Sequence, residues 1–176
     1  KNFKGKVLGI HYRGTSYKIS ANHPFPPTKN QMLEYCKKIL KTEKFSKIFL
    51  CTEDLNYFNL IKKKFSNKII FLNDAYKSFK DDAFKIYPRK FHRYKLGRDI
   101  LLEALLISKC DTFIFNNSNV SEFVKFIDKK KVINYYLIEN GFNSSNAYIA
   151  KWLWYYKNFL TPSLGGFLNT TYVKKN

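Results

Sequence analysis

The 176 residues suit one domain of ordinary size, or one half of a two-domain protein, and a 45% apolar fraction is enough for a core. Lys and Arg number 32 against 13 Asp and Glu, and the net charge of +19 points to an anionic partner: phosphate, nucleic acid, acidic lipid or acidic glycan. The basic residues run along the whole chain instead of forming an arm, which argues against a dedicated nucleic-acid tail, and a composition rich in Lys, Asn, Ile, Phe and Tyr makes many lysines plain solvated surface.

Lys6 to Ile10 is a short apolar run that reads as a buried strand. It ends in His11-Tyr12-Arg13-Gly14-Thr15. His11 and Arg13, two apart, point the same way from a strand end. At the carboxyl end of a parallel strand they face a ligand crevice, and a guanidinium fork fits a phosphate; otherwise Arg13 lies on an exposed loop and His11 is satisfied locally. Residues 16 to 27 carry Pro24, Pro26 and Pro27 and form a loop. Thr28, with Gln31 three residues on, starts a helix to about Thr42. Lys47 to Cys51 is the second strand; it runs into Thr52-Glu53-Asp54, polar groups again at a strand end. A helix to about Phe65 and a third strand, Lys68 to Leu72, follow.

Asn73 to Lys95 has no clean period and reads as a long loop. Its basic residues lie among Tyr and Phe, which suits either nucleic acid or a lid over a negatively charged ligand. Asp99 to Ser108 reads as a helix apolar on nearly every side, hence buried. Glu103 lies within it. Either it shares a narrow exposed stripe with Asp99, four residues earlier, or it reaches a polar ligand. Thr112 to Phe115 is a short buried strand, followed by the polar turn Asn116-Asn117-Ser118-Asn119. Asn119 and Glu122 read as a capping box for a helix over Val120 to about Asp128, whose free N–H groups suit a phosphate. Val132 to Ile138 is the fifth strand. Ser144 or Ser145 caps an aromatic helix, Ala147 to Leu160, which either lies on a membrane or packs on its own sheet or a neighbouring domain. The tail after Pro162 reads as irregular. Strand and helix alternate about five times, the mark of a parallel, Rossmann-like α/β layer.

Several chemistries are excluded by pattern. There is no GxGxxG, P-loop or GxSxG. Cys36, Cys51 and Cys110 lie far apart with no CxxC spacing, so no zinc site is expected, and a reducing cytoplasm is the default. No signal peptide is visible, and no apolar run reaches the ~18 residues of a membrane span. The chain begins at Lys1 and is read as a trimmed chain or fragment.

Three segments, in this order, resemble the fucosyltransferases of the α1,6, nodulation and protein O-fucosylation type. HYRGT resembles their H-x-R motif. IFLCTED resembles their strand-then-T-D segment. DILLEALLISKCDTFIFNNSNVS resembles their block ending in LLS-x-x-D and S-x-x-S. The likeness covers about residues 6 to 125. It implies the GDP-fucose-binding, C-terminal half of a metal-independent, inverting GT-B glycosyltransferase working on a surface glycan, with no cofactor beyond its donor. An N-terminal acceptor domain would lie outside this chain. The implied location is cytoplasmic, with peripheral contact to anionic inner-membrane lipid. By position, Arg13 resembles the catalytic arginine on the donor's β-phosphate, and His11 a nucleoside or phosphate contact. Glu103 resembles the carboxylate that accepts hydrogen bonds from guanine. Thr52 and Asp54 fall near the ribose or base, Asn117, Ser118 and Asn119 near the phosphate, and Asp99 on the same helix face as Glu103. Two positions depart from the family: Gly14 stands where the α1,6 and nodulation enzymes have a second Arg, and Ser16 where an acid is common. The O-fucosylation type tolerates a single Arg. Outside this family, the same residues suit a transferase for another nucleotide sugar, or a basic module for nucleic acid or anionic membrane.

Overall fold

The computed structural model describes residues 4–80, 86–128, 134–168 and 173–175. Strands β1 (Val7–Tyr12), β2 (Lys47–Thr52), β3 (Ile69–Ile70), β4 (Thr112–Phe115) and β5 (Asn134–Ile138) form a parallel sheet, and β6 (Val173–Lys175) joins its edge antiparallel to β5. The order across the sheet is β3-β2-β1-β4-β5-β6. Helices α1 (Lys29–Thr42), α2 (Leu55–Phe65), α3 (His92–Ile107), α4 (Asn119–Ile127) and α5 (Ala147–Phe159) flank it. The fold is a Rossmann-like α/β layer, as the alternation of segments foretells.

β1 is buried along its whole length, with β2 and β4 at its two edges. Its side chains alternate between two helix layers. Leu8, Ile10 and Tyr12 pack with Met32, Cys36 and Ile39 of α1 and Tyr57, Phe58 and Ile61 of α2. Val7 belongs to the other layer, with Phe113 and Phe115 of β4, Ala104 and Ile107 of α3 and Val124 of α4. Each such large apolar side chain contributes about 1.5–3 kcal/mol on burial, so the period of two fixes which face each residue takes. A third, small cluster holds Trp154 of α5 against Phe25 and Phe167. All three cysteines are free and buried.

Several boundaries differ from the expectation. α3 starts at His92, seven residues before Asp99, so the loop is shorter; residues 81–85 within it lie outside the described set. Its start carries no capping side chain: Phe91 precedes it in the left-handed region (φ 56°). Nor is α3 buried all round, because Leu101, Leu102 and Leu105 are exposed. α5 is capped by Asn146, whose Oδ1 accepts from the N–H groups of Tyr148 and Ile149, and not by Ser144 or Ser145. The tail has a 3₁₀ turn (Pro162–Leu164) and supplies β6. Residues 132 and 133 of the expected fifth strand fall outside the described set. The α1 start is as expected: Thr28 Oγ1 accepts from Gln31 N–H at 3.0 Å, and Gln31 Oε1 from Thr28 N–H at 2.8 Å.

Asp111 has a structural role. Its Oδ2 accepts from Val7 N–H at 2.7 Å, and its own N–H donates to Val7 O at 2.9 Å, so it fastens the start of β4 to the start of β1. Asp111→Ala leaves a buried N–H without its acceptor and should cost about 1–3 kcal/mol. Urea unfolding should show a lower midpoint with unchanged slope; an unchanged midpoint would refute this role.

Candidate functional site

The strand order reverses at β1. β2 leads away on one side and β4 on the other, and the loops leaving β1 and β4 separate at their carboxyl ends. That is where α/β sheets of this order open a crevice. Here Arg13 N–H donates to Asn116 Oδ1 at 3.1 Å and ties the two loops together. A recess of about 60 Å³ opens beside this bond. His11, Arg13, Thr52, Asp99 and Glu103 line it. Three elements therefore bring these five expected residues to one place.

His11 and Arg13 share a side of the strand end, and Tyr12 between them turns into the opposite layer. The His11 imidazole is buried, and burial, then the Arg13 guanidinium, lowers its pKa to about 3. It stays neutral at ordinary pH and keeps one N–H donor and one acceptor nitrogen. Its Nδ1 and the Nε of Arg13 are buried without a hydrogen-bond partner among the described residues. The guanidinium lies 4.9 Å from the Tyr17 ring centroid, which supports it by cation–π attraction.

The two acids of α3 have different roles. Asp99 is buried and clamped by two arginines, Arg89 at 2.6 Å and Arg98 at 2.9 Å. Arg89 also donates to Asp74 O at 2.7 Å and to His92 Nδ1 at 3.2 Å, and so fastens the preceding loop to the helix. This removes the expected exposed stripe, because an acid held by two guanidinia is a structural clamp. Glu103 lines the recess with no ion pair within 4 Å among the described residues. Burial pushes its pKa up to about 8; the Lys77 ammonium draws it down, and Glu53 and Asp99 push it further up.

The remaining expected residues are placed elsewhere. Asp54 caps α2, its Oδ1 accepting from Tyr57 N–H at 2.9 Å, and its other oxygen pairs with Lys29 at 3.4 Å. It does not line the recess. Ser118, not Asn119, caps α4: its Oγ accepts from Ser121 N–H at 3.2 Å, and Ser121 Oγ accepts from Ser118 N–H at 2.9 Å. Ser121 thus takes the place expected for Glu122, which pairs with Lys125 instead. Asn117, Ser118 and Asn119 do not line the recess; Val120 does.

Glu53 lines the recess and was not expected there. Its Oε1 accepts from Thr15 Oγ1 at 3.0 Å. Burial raises its pKa, while Arg13 and the Thr15 hydroxyl pull it back. The signal was present in the alternation of β2: Phe49 and Cys51 face the α3 layer, and the next residue of that parity is Glu53. Gly14 also has a local reason. A Cβ there would lie 2.5 Å from the hydroxyl and ring of Tyr12, which is fully buried, so no second arginine fits at this position. A larger groove of about 540 Å³ lies on the Tyr12 side of the strand end, lined by Lys18, Lys29, Asn30, Trp154 and Asn158.

No family model matches the sequence, and no curated protein does. Solved structures do match. The fold is similar to that of a fucosyltransferase. NodZ α-1,6-fucosyltransferase crystallised with GDP superposes with a TM-score of 0.52 at 16% identity, over 80% of this chain and 40% of that one. The same enzyme soaked with GDP-fucose gives 0.45 at 17% identity, over 78% and 39%. The chain therefore spans about two fifths of the length of the NodZ chain. At this identity the likeness establishes the fold.

Titration of the recess is measurable without a ligand. The folded pKa of Glu103, about 8, lies above its ordinary 4.5. Between these values the folded chain holds the proton and the unfolded chain releases it, so stability falls as pH rises through the window. His11 acts oppositely: its folded value of about 3 lies below 6.5, and stability is lost as pH falls through that lower window. Glu103→Gln should therefore gain stability over wild type as pH rises from about 4.5 to 8, with the gain level above that range. Urea unfolding at a series of pH values checks this, and a pH-independent difference would refute it.

Proposed function

We propose that the recess binds the nucleotide of a sugar donor, GDP-fucose foremost, and that the chain is the donor-binding part of an inverting, metal-independent glycosyltransferase acting on a surface glycan. One observation carries the reading. A guanidinium and a carboxyl group that make no ion pair within 4 Å among the described residues, Arg13 and Glu103, line one recess at the switch point of a Rossmann-like sheet. A guanine offers an N1–H and an amino group, the complement of a carboxylate. A diphosphate offers paired oxygens, the complement of a guanidinium fork. The recess is small, so it holds these polar edges while ribose and sugar lie across its mouth.

In this reading Arg13 does the chemical work. As the glycosidic bond to the diphosphate breaks, negative charge grows on the leaving oxygens. A guanidinium fixed by its backbone bond to Asn116 and by the Tyr17 ring meets that charge without reorganising. His11, held neutral, donates one hydrogen bond to the nucleotide. Glu53 opposes the Arg13 charge from within the recess and keeps Thr15 turned towards it. The acceptor and a catalytic base then come from an N-terminal domain. The crystals of NodZ with GDP are consistent with a donor site in this fold.

Calorimetry with GDP, UDP and ADP tests the proposal. GDP should bind most tightly, Arg13→Ala should abolish binding, and Glu103→Gln should erase the preference for guanine. Recognition of N1–H needs the ionised carboxylate, whereas at pH 7 a group of pKa about 8 is mostly protonated. Binding should then release close to one proton, roughly 0.9 at pH 7. Buffers of different ionisation enthalpy reveal that release, and Glu103→Gln should remove it. Tighter binding of UDP would keep a donor site and discard fucose. Binding of none of the three would overturn the reading.

A further inference from the structure

α5 turns four aromatic side chains of one stripe outwards. Tyr148, Trp152, Tyr156 and Phe159 are 80%, 71%, 71% and 75% exposed. Their spacing of 4, 4 and 3 residues aligns them on one stripe of the helix. Ala150 and Trp154 point the other way and are buried; Trp154 is anchored by its Nε1–H to Pro26 O at 2.8 Å. The helix is therefore held by one face and offers a continuous aromatic ridge about 20 Å long on the other. Soluble surfaces rarely leave such a ridge open.

Charge identifies what covers it. Every charged side chain between Lys1 and Leu33 and between Asn140 and Asn176 is Lys or Arg; the outermost acids in the sequence are Glu34 and Glu139. Parts of these two segments pack together. The 3₁₀ turn Ser16–Lys18 lies against α5, Lys18 Nζ sits 4.8 Å from the Trp154 ring centroid, and Asn143 Nδ2 donates to both Lys18 O and Ala150 O. Lys151 is exposed on α5 itself, beside the ridge. An aromatic ridge rich in Tyr and Trp, carried by segments whose own charged side chains are all basic, with Glu34 of α1 lining the groove beside it, has the chemistry of the boundary between headgroups and acyl chains in an anionic bilayer.

We infer that α5 is an interfacial membrane helix: Trp152, Tyr156, Tyr148 and Phe159 enter the headgroup region of an anionic bilayer, and the surrounding lysines meet its phosphates. This surface is separate from the nucleotide recess and does not depend on that reading.

The full 176-residue chain is mixed with vesicles of phosphatidylcholine, with or without phosphatidylglycerol, and binding is read by co-sedimentation and Trp emission. The chain should bind the anionic vesicles, with a blue shift that Trp152→Phe removes while binding persists. Trp152→Ala with Tyr156→Ala should weaken partitioning at least about tenfold. Both side chains are mostly exposed, so this variant should keep the wild-type melting temperature. Three outcomes overturn the inference. Binding that salt abolishes equally in wild type and variant, with unshifted emission, is diffuse charge attraction. A concentration-dependent dimer that the double variant dissolves, without vesicle binding, makes a second copy the occupant. Binding to neither vesicle type leaves the ridge with no membrane role.

Discussion

β1 has a strand on each edge and a helix layer on each face, so no polar side chain can sit along it at low cost. From Val7 to Ile10 there is none. His11 lies in the last turn of the pleat, still paired with β2 and β4, and Arg13 follows directly after the strand, at the point where the sheet order reverses. The bond from Arg13 N–H to Asn116 Oδ1 joins the loops on either side of that reversal. The chemistry of the recess follows from this constraint. Burial keeps His11 neutral, leaves the Arg13 Nε without a partner among the described residues, and pushes Glu103 towards its neutral form. An uncompensated group in a low-dielectric wall interacts strongly with whatever enters.

Much of this was legible from period and parity. Alternating strand and helix segments foretold the parallel sheet, and the two-residue spacing of His11 and Arg13 put both on one side of a strand end. The same parity holds in β2. Glu53 continues the Phe49–Cys51 face into the recess beside Thr52, while Asp54 turns back to cap α2. At α4 a one-residue shift separated expectation from structure, because serine at the third helical position can close the box as Glu does.

The start of α3 was not legible, for a physical reason. Helix starts are read from side chains that satisfy free N–H groups, and α3 has none at its cap. A left-handed Phe91 turns the chain into the helix, and Arg89 holds that turn through contacts with Asp74, His92 and Asp99. The determinants lie up to 15 residues apart and are tertiary. The expectation that α3 is buried failed similarly: apolar composition states what a helix can bury, while the neighbours decide what it does bury.

Asp99 and Glu103 show how two identical charges four residues apart come to differ. Asp99 is buried and both its oxygens are held by arginines, so removing these partners would leave a carboxylate uncompensated in the fold. Those same contacts fix α3 against the loop and hold Glu103 at the recess, where among the described residues Lys77 draws its pKa down. The satisfied acid supplies rigidity, and the other faces the recess with its pKa raised. The price is a recess that is less stable at higher pH, where Glu103 ionises. At that higher pH, a group that donates hydrogen bonds to the ionised carboxylate offsets part of the cost, because it replaces the water that burial removes.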